Sequence, residues 1–402
     1  VNPRIAFFTD SFHEVNGVAL TSREFVAFAA RKRLPFFSVH AGPASAYSRE
    51  GQLETFELAH SPAVIGLERD LAFDLFFYRH LAAVRHKLRE FRPDMIHVTG
   101  PSHSGLLGAI LAGHMRVPLV ASWHTNLHEF AGRRLERKLG WLSSRWRKAV
   151  VTAAEKHSLN MTLLFYRAAG LLFAPNPELV EMLESRTGRP TYLMQRGIDT
   201  CKFSPERRGR SDSEFVIGFV GRLSPEKNVR LLAALEKSLF AAGLRDYRFL
   251  IVGDGQERSW LSANLQRAEF TGVLSGDALA RAYADMDAFV FPSQTDTFGN
   301  VVLEALASGV PAIVSQDGGP KFLVKSHHNG YIARDVAGFA DAIVELHSQP
   351  RLRGRMSRVA RDSAMKHSWD RVFEQVYARY EEALTRRASA NRSREMPFEL
   401  VR

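Results

Sequence analysis

Residues 215–228 read Phe215-Val216-Ile217-Gly218-Phe219-Val220-Gly221-Arg222-Leu223-Ser224-Pro225-Glu226-Lys227-Asn228. A short uncharged run rich in β-branched and aromatic residues, closed by glycine and Ser-Pro, predicts a strand buried on both faces. Working outward, the same unit recurs. Strands are expected at 248–252, 288–291 and 312–314 on one side, and at 5–8, 36–39, 95–98 and 119–122 on the other. Amphipathic stretches fall between them, among them 21–32 and 74–91. Strand alternating with helix predicts an α/β fold of parallel sheets covered on both faces, in two similar, doubly wound halves.

A chain of 402 residues exceeds one ordinary core and suits two domains. Composition breaks at Gly188-Arg189-Pro190 and stays rich in Pro, Gly, Arg and Ser through Ser213. The expected layout is an N-terminal Rossmann-like domain over 1–195, a linker over 196–214 and a C-terminal Rossmann-like domain over 215–368. A long helix over 369–384 follows, then a basic, disordered tail over 385–402. Ligands of open α/β sheets sit at the carboxyl ends of strands. The loops after Phe8, Ser122, Val220 and Phe291 are therefore expected to line one cleft.

The 45% hydrophobic and 24% charged content is that of a soluble globular protein. No apolar run is long enough to span a bilayer. The first residues read as the lead-in to a buried strand and not as a signal peptide, while a start on Val1 leaves room for residues upstream. The single cysteine, Cys201, excludes an internal disulfide and fits a reducing cytoplasm. A net charge of +11 points to an anionic partner: a nucleotide, an anionic lipid surface or a nucleic acid. No zinc-finger spacing, RNP-like aromatic run or isolated helix-turn-helix occurs, so no nucleic acid is expected.

Two segments carry chemistry. In 221–228, Arg222 offers a fork for phosphate oxygens and Lys227 a point charge, in a loop expected to open a helix whose N–H groups also favour anions. That makes a diphosphate clamp; two solvated loop cations are the plainer alternative. In Asp296-Thr297-Phe298-Gly299-Asn300-Val301-Val302-Leu303-Glu304, a helix is expected to start near Gly299. Asp296 would lie in the preceding loop and Glu304 about two turns on. One carboxylate suits sugar hydroxyls and the other those of a ribose. Helix capping would account for Asp296 but not for Glu304 within an apolar helix. His124 ends a strand, where a histidine can be structural. His124 and His128 have a zinc-like spacing but no third ligand nearby. No metal and no cofactor are expected.

Residues 133–148 place Leu135, Leu139, Leu142 and Trp146 on one helical stripe among cations. Such a helix suits an anionic membrane surface or packing on the N-terminal domain, and both stay open.

In order and spacing these fragments resemble the retaining GT-B glycosyltransferases of family four. Gly221-Arg222-Leu223 with Glu226-Lys227-Asn228, and the run from Asp296 to Glu304, carry most of the likeness. Asn16-Gly17-Val18, Ser122-Trp123-His124-Thr125-Asn126, Arg196-Gly197-Ile198-Asp199, Gly253-Asp254-Gly255 and Phe270-Thr271-Gly272 extend it over nearly the whole chain. The resemblance implies two facing Rossmann-like domains with a C-terminal helix crossing back to the first. It also implies a UDP- or GDP-linked sugar donor and metal-independent retention. The acceptor would be a lipid or lipid-linked glycan, which makes the enzyme cytoplasmic and peripheral on the inner face of the membrane. Arg222 and Lys227 would bind the diphosphate and stabilise the leaving charge. Asp296 would hold donor-sugar hydroxyls, although the family usually has Glu there, one methylene longer. His124 would reach the donor sugar near its anomeric centre or its outer hydroxyl. Gly17 would let backbone approach the diphosphate, Glu304 would hold the ribose, and Val273 and Leu274 would meet the base through their backbone. Arg196, Gly221, Gly253, Phe298, Gly299 and Asn300 complete the implied donor set. Rival readings are a sugar-nucleotide epimerase and a basic nucleic-acid-binding or regulatory protein. A Rossmann dehydrogenase fits poorly, because Gly253-Asp254-Gly255 lacks the third glycine of the dinucleotide fingerprint.

Overall fold

The computed structural model describes residues 2–14, 16–68, 71–124, 126 and 144–395. The chain forms two compact units, Val1–Met194 with Trp369–Arg402, and Gln195–Ser368.

In the first unit, strands β1 (Ile5–Thr9), β2 (Phe36–Gly42), β3 (Ala46–Glu50) and β4 (Leu53–Ala59) build half of a sheet. A hairpin of β5 (Val64–Glu68) and β6 (Leu71–Asp74) stands apart from it. The other half is β7 (Met95–Val98), β8 (Leu119–Ser122), β9 (Leu171–Ala174) and β10 (Thr191–Leu193). The order is β10-β9-β8-β7-β1-β2-β4-β3, parallel except for β3. Successive side chains of β1 point to opposite faces. Ala6 and Phe8 join Leu88, Leu107 and Leu111 on one side. Ile5 and Phe7 join Phe25 and Phe28 of the helix Gly17–Arg31 on the other.

That second face is completed by the helix Trp369–Glu395, which returns to the first unit. Phe373 stacks on Phe25 at 4.4 Å, the Tyr380 hydroxyl hydrogen-bonds His97 Nδ1, and Lys32 pairs with Glu374 at 2.9 Å on the rim.

The second unit carries β11 (Phe215–Val220), β12 (Tyr247–Val252), β13 (Ala268–Gly272), β14 (Ala288–Phe291), β15 (Ala312–Ser315) and β16 (Gly330–Ala333). Their order is β13-β12-β11-β14-β15-β16, all parallel. The strand order reverses between β11 and β14, so the loops leaving those two strands flank the switch point where open α/β sheets bind ligands.

Several sequence expectations need correction. Residues 196–214 are not a free linker: Ile198 and Phe203 lie in the second core. Arg208 donates to the carbonyls of Ala284 and Met286 and to Asp287 Oδ1 at 3.1–3.2 Å. The arginines that made this stretch look solvated close the end of the neighbouring helix Gly276–Ala284. The tail expected from Thr385 is helical through Glu395. Glu382 pairs with Arg379 at 2.8 Å and also with Arg386, contacts of the kind that extend an exposed helix. The first helix starts at Gly17, because the Asn16 side chain accepts from the N–H groups of Val18 and Ala19 and fixes the N-terminus there. The stretch 74–91 is helical only over Leu81–Phe91. Asp74 ends β6 and accepts from the N–H groups of Ser61 and Phe76 and from Arg79, so it serves a turn. No helix of the described residues is long and apolar enough to cross a membrane. Leu135, Leu139, Leu142 and His128 lie outside the described residues.

Candidate active site

Backbone contact builds the site floor in the second unit. The loop after β11 lies directly on the loop after β12: Gly221 N–H donates to Val252 O at 3.0 Å, and Leu223 N–H to Asp254 O at 2.9 Å. At Gly253, with φ of +137°, a Cβ would stand 2.0 Å from Gly221 O; at Gly255 it would stand 2.3 Å from Leu223 O. Glycine is required at both positions by close approach and by backbone conformation.

Contrary to expectation, no α-helix opens on this motif. Residues Pro225–Lys227 form a 3₁₀ turn and the α-helix begins at Leu231. Asn228 adopts φ of +53° as the turn ends, and its amide donates to Pro292 O at 3.4 Å. The hydroxyls of Ser293 and Thr295 donate to Glu226 O at 3.4 and 3.3 Å. This lacing ties the loop after β11 to the loop after β14. Lys227 Nζ then meets both carboxylate oxygens of Asp296, at 2.7 and 2.9 Å. Arg222 is half-buried on the same loop.

Asp296 does not cap the following helix, Asn300–Ala307, whose N-cap is Gly299 at φ of +93° without a side-chain cap bond. That helix end offers backbone N–H groups with no partner inside the helix. The loop behind it is held by Gly318 and Gly319 after β15: Gly319 N–H donates to Asp296 O at 2.6 Å. Phe298 is buried in the core, so only its backbone can meet a ligand.

Glu304 sits about one turn into that helix, partly accessible, and takes a hydrogen bond from the Tyr283 hydroxyl at 2.7 Å. Burial pushes its carboxyl up to about 7, against the opposing pull of the Tyr283 hydrogen bond and of positive Lys202. Arg196 is buried, and desolvation pushes its guanidinium down to about 10. Val273 is 70% exposed beyond β13, whereas Leu274 packs partly on the core.

Two expected site residues belong to the first unit. Gly17 is exposed at the start of its helix. His124 is buried just past β8, and its Nε2 shares a 2.7 Å hydrogen bond with Ser122 Oγ. The structure thus brings Lys227 against Asp296 and joins Gly221 to Gly253 through their loops.

Residues 15–202 match the family described as Glycosyltransferase Family 4, and residues 214–349 match Glycosyl transferases group 1. The GDP-mannose-dependent alpha-mannosyltransferase of Mycolicibacterium smegmatis is 34% identical over 75% of this chain and 76% of the relative. The chain belongs to glycosyltransferase family 4. The protein of the same description from Corynebacterium glutamicum is 31% identical over 76% of this chain and 71% of its own length. Among solved structures, sucrose-phosphate synthase from Thermosynechococcus elongatus superposes with a TM-score of 0.71 at 18% identity, covering 95% of this chain and 99% of the other. Anabaena HepE in complex with UDP and glucose gives 0.64 at 18% identity, covering 94% and 99%. At that identity these two likenesses show the GT-B fold.

For a family 4 glycosyltransferase the sequence reading left out Tyr283, Ser293, Thr295 and the Gly318-Gly319-Pro320 turn. The paired glycines were the one available signal. The Tyr283–Glu304 contact joins two helices and has no signature in linear order.

Proposed function

We propose that this glycosyltransferase moves mannose from GDP-mannose, with retention, to a lipid or lipid-linked glycan. The donor assignment rests on relatives named for GDP-mannose at 31–34% identity. The observation that carries the reading is the Lys227–Asp296 pair at the switch point, on loops laced together through Glu226 O. In that reading Lys227 divides its charge between Asp296 and the diphosphate, and Arg222 adds a second cation. The amides at Asn300 face the phosphates, and Asp296 receives mannose hydroxyls. Glu304 takes the ribose, with Val273 and Leu274 beside the base. The acceptor hydroxyl oxygen attacks the anomeric carbon on the face the nucleotide leaves. The bond from that carbon to the β-phosphate oxygen breaks, and the departing phosphate takes the hydroxyl proton. Two fixed cations neutralise the leaving group, so no metal is needed at the diphosphate.

A lipidic acceptor is supported by the cations of 133–148 and by the helix that follows, Ser144–Arg167. There Trp146, Val150, Met161 and Leu164 are all exposed and recur at helical spacing. An apolar stripe continuing a basic segment suits the surface of an anionic bilayer.

A panel of sugar nucleotides read by thermal shift tests the donor. GDP-mannose and GDP should raise the melting temperature, and UDP-glucose should not. Equal stabilisation by UDP- and GDP-linked sugars would overturn the base assignment. With a competent acceptor, Arg222→Ala and Lys227→Ala should each lower kcat by roughly a hundred- to a thousandfold.

A further inference from the structure

Besides the donor-binding residues already named, three side chains converge at the carboxyl ends of adjacent strands in the first unit. His40 lies on β2, and Glu57 is its direct partner on β4 in the parallel register. His13 comes from the loop that leaves β1. One nitrogen of each imidazole and one Glu57 oxygen all lie within 4.8 Å of one another. His13 Nε2 is already 2.9 Å from Glu57 Oε1.

The group is supported from behind. Ser38 Oγ lies 3.2 Å from His40 Nδ1, leaving Nε2 as the nitrogen that can ligate. Phe12 stacks on the same ring at 3.9 Å and 9°. Glu57 is seated over Gly42, where a Cβ would stand 1.7 Å from Oε1 and expel the carboxylate. His13 is exposed and His40 buried, so one ligand is fixed and another can close over an incoming ion.

We infer that His13, His40 and Glu57 form a binding site for a divalent metal of the zinc class. Two imidazoles and a carboxylate are a borderline donor set, suited to zinc and its neighbours and ill-suited to magnesium or calcium, which take oxygen ligands. Ligand atoms around tetrahedral zinc stand about 3.3 Å apart, given bonds of about 2.0–2.1 Å. His13 Nε2 and Glu57 Oε1, at 2.9 Å, already stand near that spacing, and closing the three atoms from within 4.8 Å completes the geometry. Three protein ligands leave a further position for a water or an anionic oxygen. Because the His13 loop runs on to Asn16 and Gly17, the ion would pin the segment between β1 and the first helix. The ion takes no part in the charge stabilisation assigned to Arg222 and Lys227, which stands or falls without it.

The test uses the untagged full chain, stripped with chelator and titrated with zinc by calorimetry. One zinc per chain is expected. His13→Ala and Glu57→Gln, checked by circular dichroism, should each weaken binding at least tenfold. Ser38→Ala should weaken it by roughly ten- to a hundredfold through loss of ring orientation. Cys201→Ser, at the exposed thiol, should bind zinc like the parent. No zinc uptake, or uptake equally tight in His13→Ala and Glu57→Gln, would overturn the assignment.

Discussion

Glu304 is the residue whose chemistry is set most by its surroundings. A carboxyl pushed up to about 7 by burial is largely protonated in mild acid and ionised in mild base. A ribose diol donates two hydrogen bonds, which the carboxylate accepts best. Affinity for GDP should therefore fall as pH drops below about 7 and level off above it. Calorimetry from pH 5 to 9 should show that midpoint, and Glu304→Gln should flatten the curve. The Tyr283 hydroxyl favours the ionised form, so Tyr283→Phe should move the midpoint to higher pH. An unmoved midpoint would detach Tyr283 from the site. At the diphosphate, GDP affinity measured with and without EDTA should be equal if Arg222 and Lys227 do the work of a metal. Asp296 holds Lys227 with both oxygens despite its short side chain, so the missing methylene relative to the family's usual Glu does not prevent that pair.

Elements explain which parts of this picture could be read in advance. Buried parallel strands such as 215–220 and 95–98 are short apolar runs bounded by turn residues, and both stand where expected. The edge strands β3 and β10 escaped notice because exposed or mixed residues carry no such run; β9 escaped it although it is buried throughout. Residues 196–214 misled because composition registers polarity, not whether a guanidinium ends on a buried carbonyl. His13, His40 and Glu57 come from three elements, so no spacing rule could join them. The glycine contacts at the site floor are also an element-level property, and they give a direct prediction. Gly253→Ala would force a Cβ toward Gly221 O at a positive φ. It should cost roughly 1–3 kcal/mol in urea unfolding and abolish the GDP-induced thermal shift. Gly243 also has a positive φ, but a Cβ there would meet no atom within 4 Å. Gly243→Ala should therefore lose stability without loss of nucleotide binding.

At the scale of the molecule, the α/β class and its two parallel sheets follow from the alternation of strand and helix, and the returning helix follows from resemblance. What neither supplied is how deeply that helix is built in. Phe373 is fully buried, stacked on Phe25 and beside Phe28. Phe373→Ala should cost about 3–5 kcal/mol, read as a lower denaturant midpoint for the first unit. The last helix therefore supplies core residues to the first sheet. During synthesis, the amino-terminal half must wait with Phe25 and Phe28 uncovered until the final segment clears the ribosome, while Gln195–Ser368 already holds every residue of its own interior. A released chain ending at Ser368 should accordingly resist protease in its later half and be cut in its earlier one.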